Sequence, residues 1–548
     1  MNPGDRPAGS AHGTRSPVLG RNGMIATSQP LASAAGLAVL QTGGNAIDAA
    51  VTAAAVLAVV EPTMTGLGGD VFAIVYDATT RTLRGLNSSG RAGANADADA
   101  LVAKGITEMP TEGACAVTVP GALAGWVALL EERGTTTLAH ALEPAIRYAR
   151  DGFPVSEIIA DQWANAAWRV SLDPAAAAVF LPDGRAPTHG EVFRNPDFAN
   201  TLEQIAGGGR DIVYRGPIGA AIAADVRGRG GFLTPADFEA HRADWVDPIS
   251  TNYRGYEVYE LPPNTQGFVA LEMLNILEGN DISALGHNSA EYLHLWAEAK
   301  RIAFADRAAY LADPQLVPPA TLRALVSKDY AATRRREINP LRAAAAYAPG
   351  VFGATAAHDV TFDGRDRGDT VYLTAADGNG NVISFINSLF SEFGAGIVVP
   401  GTGVVLHNRG AGFTLEQGHP NRLAPGKRPL HTLVPAFVMK DGKPFLSFGV
   451  MGGDNQAQAH VQVIANIVDF GMNVQEAGEA ARVRHGAEGL AAESGIGAAV
   501  RASLSQRGHM VIDGRGLMGG YQGIMIDGST GVLMGGSDPR KDGLAIGW

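Results

Sequence analysis

Cysteine is almost missing from this sequence: Cys115 is the single thiol in 548 residues. No intrachain disulfide and no cysteine-based metal site can form from it. Cys115 lies in the apolar stretch 114–119 and reads as a small buried residue, not a reactive thiol. Long hydrophobic runs are missing too. The longest near the start, residues 49–60, includes Thr52 and falls short of the ~20 apolar residues that span a bilayer. Residues 1–22 are rich in Pro, Gly and Ser and lack the apolar centre of a signal peptide. They read as a disordered lead, and the expected location is cytoplasmic. Basic residues are outnumbered, 43 Lys and Arg against 55 Asp and Glu, for a net charge of −12. That balance argues against nucleic acid or an anionic membrane surface as partner.

Several motifs are absent as well. No Gly-x-Ser-x-Gly elbow occurs, which disfavours a serine α/β-hydrolase. No His-Glu-x-x-His occurs, and His287 and His294 around Glu291 match no metal-ligand spacing, so they read as polar surface. Gly66-x-Gly68 opens like a dinucleotide fingerprint, but the third glycine position is Val71 and the motif fails. No metal and no cofactor is expected.

What is present reads as an ordinary globular chain, 46% hydrophobic and 18% charged. Its length exceeds the usual ceiling of ~250–300 residues for one core, so more than one packed layer system is expected. Ala-rich segments 31–40 and Ala46–Val60 predict helices, broken by Gly43-Gly44 and Pro62. Segment 71–76 reads as a strand, while 139–150, 268–277 and 458–470 read as helices. In 291–309, Tyr292, Leu295, Ala299 and Ile302 recur at helical spacing. The middle, 151–250, is helical and polar and yields no chemistry.

The chain is organised around residues 368–396. A Gly/Asp-rich loop (Gly364, Asp366, Gly368, Asp369) gives way abruptly to the β-branched and aromatic run 370–374. Asp377-Gly378-Asn379-Gly380-Asn381 is dense turn chemistry, and 382–386 is a second apolar run. Together they predict a β-hairpin whose first strand opens on Thr370. A hydroxyl there suits a self-cleaving N-terminal nucleophile. It attacks the peptide bond before it, and the freed α-amine, titrating near ~7.7–8.0, then serves as its base. By itself the pattern is weak, because most threonines at strand starts are structural.

This stretch resembles the start of the small subunit in the γ-glutamyltransferase family of N-terminal-nucleophile hydrolases. The matching pieces are Thr370, Asn379-Gly380-Asn381, residues 382–385 and Phe393-Gly394-Ala395-Gly396. Other motifs follow in family order: Gly23-Met24-Ile25-Ala26-Thr27-Ser28, Gly43-Gly44-Asn45-Ala46-Ile47-Asp48-Ala49-Ala50, Glu61-Pro62 and Gly66-Leu67-Gly68-Gly69-Asp70. Late in the chain come Lys427-Arg428-Pro429-Leu430, Gly452-Gly453 and Gly536-Ser537-Asp538-Pro539-Arg540. The resemblance implies an α+β fold, a four-layer αββα sandwich, made from one precursor. Cleavage between Asp369 and Thr370 would leave a large subunit, 23–369, and a small one, 370–548. It also implies Thr370 as nucleophile, Ser388 as its supporting hydroxyl, Gly452-Gly453 as the oxyanion-hole pair and Arg91 as the grip on a substrate carboxylate. The segment 335–369, rich in Pro, Gly and Ala, is expected to be mobile.

Departures from the family pattern carry the specificity. The acid that would hold a substrate ammonium falls on Gly412, and an Asn falls on Phe390. A Ser-Ser pair is replaced by His431-Thr432, the residues after the nucleophile are Val371-Tyr372, and Arg409 adds positive charge nearby. The connection from Phe413 to Lys427 is short, so a more open pocket is expected. With Arg91, Arg409, His431 and Thr432 as substrate-binding residues and no acid, the expected substrate is a small anionic amide without an amino group. Oxamate and a glutaryl amide are examples. True γ-glutamyl transfer or glutathione hydrolysis, and a non-catalytic carboxylate-binding relative, stay open as alternatives. The expected partners are the two subunits for each other and a second copy of the processed unit.

Overall fold

The computed structural model describes residues 13–352 and 369–548. Two antiparallel sheets are stacked face to face among these residues. The first runs in the order Leu544–Gly547, Gly23–Thr27, Asp369–Asp377, Val382–Phe390, Asp70–Asp77, Thr82–Ser88, Asp244–Val246. The second runs Val18–Gly20, Leu533–Ser537, Tyr521–Ile526, Lys443–Val450, Ala436–Lys440, Tyr256–Glu260, Ile249–Tyr253.

Strand alternation sorts the side chains into layers. Val71, Ala73 and Val75, with Val371, Leu373 and Ala375, face an outer core shared with the helix Ala46–Val60. Phe72, Ile74, Tyr76, Tyr372 and Ile386 face inward, against Phe437 and Ile524 of the second sheet. Beyond the second sheet lie Gly267–Glu278, Ala290–Tyr310 and Asn455–Val468. The layers are helix, sheet, sheet, helix, as expected. Ala46–Val60 is buried along its whole length, and Asn45 and Asp48 close its N-terminus as a capping box. Strands from before and after Asp369 are hydrogen-bonded to one another in both sheets, so separation at that bond would leave the ladders intact.

Some expectations need correction. Residues 18–20, assigned by composition to a disordered lead, form an edge strand on Leu533–Ser537, because that partner offers a free ladder. Residues 1–12 lie outside the described residues. His294 is fully buried, not surface: its ring nitrogens meet His509 and the Asn339 carbonyl, each at 2.8 Å. Cys115 is half-buried, with burial raising its thiol pKa, which leaves it unactivated. Of the segment expected to be mobile, 353–368 lies outside the described residues, but 336–352 is tied down. Ala344 N–H and the Tyr347 hydroxyl donate to buried Glu298, and Gly350 N–H donates to buried Asp306. Among the described residues no helix is long and apolar enough to cross a membrane, and no His/Cys/Asp/Glu cluster could hold a metal ion.

Candidate active site

Thr370 sits where the hairpin's register breaks. Asp369 pairs with Phe390, yet Val371 pairs with Asn387, so Ser388 and Leu389 form a β-bulge opposite Thr370. Bulges re-aim a side chain and bend the strand that carries it. The Thr370 side chain is buried on the inner face, 1% exposed. Its hydroxyl donates to Ser388 Oγ at 3.2 Å and accepts from Gln456 Nε2 at 3.4 Å. Ser388 Oγ also accepts from Phe390 N–H at 2.8 Å and Arg409 Nη2 at 3.3 Å. Phe390 holds φ +82°, a left-handed conformation that strains a bulky residue by roughly 1–3 kcal/mol.

The glycine pair lies at the N-terminus of Asn455–Val468. Gly452 and Gly453 have φ +112° and +56°, so successive N–H groups turn outward from the chain. Neither N–H has an acceptor among the described residues. Two unspent donors at the positive end of a helix form a ready anion cradle. The turn is braced from behind. Arg307 grips Asp454 through both terminal nitrogens, at 2.6 and 3.1 Å, and donates to Gln266 Oε1 at 2.7 Å. Gln266 Nε2 in turn donates to the carbonyls of Gly453 and Thr432, at 3.2 and 2.9 Å. Sequence reasoning passed over Gln456, Gln266 and Arg307. Gln456 has a usable signal, three residues past the glycine pair. The other two become visible only when the helices before Asp369 pack on the turn.

Arg409 is a buried cation, 1% exposed, whose guanidinium lies 4.2 Å from the centre of the Phe390 ring and donates to Thr432 Oγ1 at 3.1 Å. His431 is directed elsewhere. Its Nε2–H donates to Asp70 at 3.1 Å and its Nδ1 accepts from Leu433 N–H. Burial, and then Arg409, push the imidazole down to about 3, so it is neutral. Burial by itself would raise Asp70, but His407, His431 and Arg409 outweigh it and hold the carboxyl well below its usual range. Asp70 therefore stays ionised near Arg409, with Oδ1 accepting from Gly90 and Gly121 N–H.

The structure thus gathers Thr370, Ser388, Arg409, Thr432 and the Gly452-Gly453 turn. Arg91 spends its hydrogen bonds on residues outside that cluster. It is about a third exposed, donating to Asp313 at 3.3 Å and the Gly426 carbonyl at 3.1 Å, with Asp244 at 3.9 Å. Gly412 has no room for the missing acid, since a Cβ there would stand 2.5 Å from the Leu430 carbonyl. The short connection to Lys427 does not leave the cluster open in the continuous chain: Thr370, Ser388, Arg409 and Thr432 are all 2% exposed or less.

An αββα sandwich with a buried Thr–Ser pair facing a glycine cradle defines an N-terminal-nucleophile hydrolase fold. The sequence matches the family Gamma-glutamyltranspeptidase over residues 32–548, and the chain belongs to that family. A glutathione hydrolase-like proenzyme of Bacillus subtilis is 40% identical, covering 97% of this chain and 99% of the relative. An acylase proenzyme of a Pseudomonas species is 36% identical, over 97% and 94%. The crystal structure of cephalosporin acylase from Bacillus halodurans superposes with a TM-score of 0.91 at 41% identity, covering 100% of this chain and 99% of the other. The protein is an enzyme of this family, an amide hydrolase of its amidohydrolase and acylase kind.

Proposed function

We propose that the protein is a self-processed threonine amide hydrolase acting on small carboxylate-bearing amides that lack an α-amino group. In maturation the Thr370 hydroxyl attacks the Asp369 carbonyl. The acyl group shifts from nitrogen to oxygen, and water hydrolyses the ester, freeing the Thr370 amine. In turnover that amine takes the hydroxyl proton as Thr370 attacks the substrate amide, and the proton passes to the leaving amine. The tetrahedral oxyanion rests on the Gly452 and Gly453 N–H groups. Water then cleaves the Thr370 ester to release the acid. Ser388 and Gln456 hold the hydroxyl in line.

The observation that carries the substrate class is Arg409, a buried cation sharing Ser388 Oγ with the nucleophile, while position 412 has no room for an acid. A planar guanidinium suits a carboxylate, and Thr432 holds it in place. His431 supports this arrangement through Asp70, and Arg91 anchors the adjoining 426–428 segment. The acylase relatives support the reading. The experiment compares kcat/KM for a glutaryl anilide, oxamate and a γ-glutamyl anilide. The glutaryl or oxamate amide is expected to lead by about 10-fold or more, the effect of one charge-assisted contact. A γ-glutamyl anilide turned over as well as either would sink the reading.

A further inference from the structure

Two neighbouring strands of the second sheet stop pairing just short of the glycine turn. Ala436–Lys440 and Lys443–Val450 pair as far as Ala436 opposite Phe448, and the next such pair would be Val434 opposite Val450. The helix Asn455–Val468 takes the N–H groups of both residues instead. Gln456 Oε1 accepts from Val434 N–H at 2.9 Å. His460, one helical turn further on, accepts from Val450 N–H through Nε2 at 3.3 Å. With both N–H groups spent the ladder ends there, and the same Gln456 reaches Thr370 through Nε2.

His460 is held in one tautomer. A backbone N–H can only donate, so Nε2 carries the lone pair and the proton of a neutral ring sits on Nδ1. Nδ1–H donates to Glu260 Oε1 at 2.9 Å. That oxygen accepts whether Glu260 is ionised or, with burial raising its carboxyl, protonated. Both residues are buried, and the Phe448 ring centre lies 4.8 Å from that of the imidazole.

Val450 leads through Met451 into Gly452 and Gly453. Met451 N–H donates to the Gly520 carbonyl at 2.9 Å, on the side of Tyr521–Ile526. The strand end is therefore fixed from both sides just before the chain turns to φ +112° at Gly452. A glycine pair has no side chains to anchor it, so its placement depends on how the chain enters it.

We propose that His460, its tautomer set by Glu260, is a positioning residue: it fixes Val450, and through Val450 the aim of the Gly452 and Gly453 N–H groups at the oxyanion. This rests on the oxyanion role given to that pair above, and the test keeps the two apart.

Asn and Gln each keep half of the ring's bonding. Asn puts its amide where Nδ1 stood and can donate to Glu260, whereas Gln reaches the position of Nε2 and can accept from Val450. For the self-processed protein acting on a glutaryl anilide, His460→Asn should lower kcat by roughly 10–100-fold with KM within about twofold. His460→Gln should recover most of that loss. Losses as large in Gln as in Asn, or none in either, would overturn the proposal while the hydrolase reading stands. Should the Asn variant not fold, the Gln variant decides: kcat close to wild type supports the role, and a loss of about 10-fold or more overturns it. If the wild type cleaves no anilide, the hydrolase reading falls, and hydrogen exchange over 446–455 decides this one. Exchange faster than wild type in Asn but not in Gln supports the hold on Val450, and any other pattern overturns it.

Discussion

The two ends of one hairpin behave in opposite ways. At the turn end, both carboxylate oxygens of Asp377 are engaged. Asp377 Oδ1 accepts from the N–H groups of Asn379 and Asn381, at 2.9 and 3.1 Å. Its Oδ2 accepts from the Asn381 side chain and from Ala46 N–H, which ties the turn to the N-terminus of Ala46–Val60. At the Thr370 end the ladder is bulged, Phe390 is held at φ +82°, and two hydroxyls and a cation share a dry corner. Stability is concentrated at one end and strain at the other. The difference teaches that the turn fixes the register that the reactive end then departs from.

The sharpest way to break this comparison is Thr370→Ala. Turnover should fall by about 10⁴-fold or more, as for other deleted nucleophiles, with the melting temperature nearly unchanged. Retained turnover would move the chemistry elsewhere. Next is Gly452→Ala, which puts a Cβ at φ +112° and displaces one N–H of the proposed oxyanion cradle. Its kcat should drop by about 10²–10³-fold, read in steady-state kinetics beside circular dichroism to confirm folding.

Arg409→Gln should lower kcat/KM for a glutaryl anilide by roughly 10–100-fold and for an uncharged acyl anilide much less. Equal losses on both would make Arg409 structural. Acid should act on the same end. His431 is neutral when folded, titrating at about 3, and takes up a proton at about 6.5 once unfolded. Its contribution is whole above about pH 6.5 and lost progressively as pH falls toward 3. Asp70, depressed as well, adds to the loss at the acid end. A urea midpoint that falls over that window, less steeply in His431→Gln, is the expected result. The smallest effect belongs to the turn. Asp377→Ala should cost about 1–3 kcal/mol of stability, seen in the urea midpoint, with kcat unchanged.

The sequence made the turn end plain. Asp-Gly-Asn-Gly-Asn between two apolar runs is local chemistry, and local chemistry is legible. Ala46–Val60 was readable for the same reason, its alanines and cap lying within one segment. The resemblance pointed to Thr370, Ser388 and the glycine pair, and the departures from it to Arg409; Ser388 Oγ accepts hydrogen bonds from both Thr370 and Arg409. What could not be read comes from distant segments closing together. Gln266 and Arg307 reach the glycine turn across the second sheet's outer helices. Arg91 matched the family pattern and His431 departed from it, and Asp313 holds one and Asp70 the other. The 18–20 strand was hidden because its partner lies at the far end of the chain.

The most direct test of the account is the intact mass and N-terminal residue of the purified protein. The account predicts two chains, the second beginning at Thr370, because the bulged and strained end of the hairpin is where the backbone is cut. A single uncleaved chain that nonetheless hydrolyses a glutaryl anilide would contradict it, since the base assigned to Thr370 is the amine that cleavage alone releases.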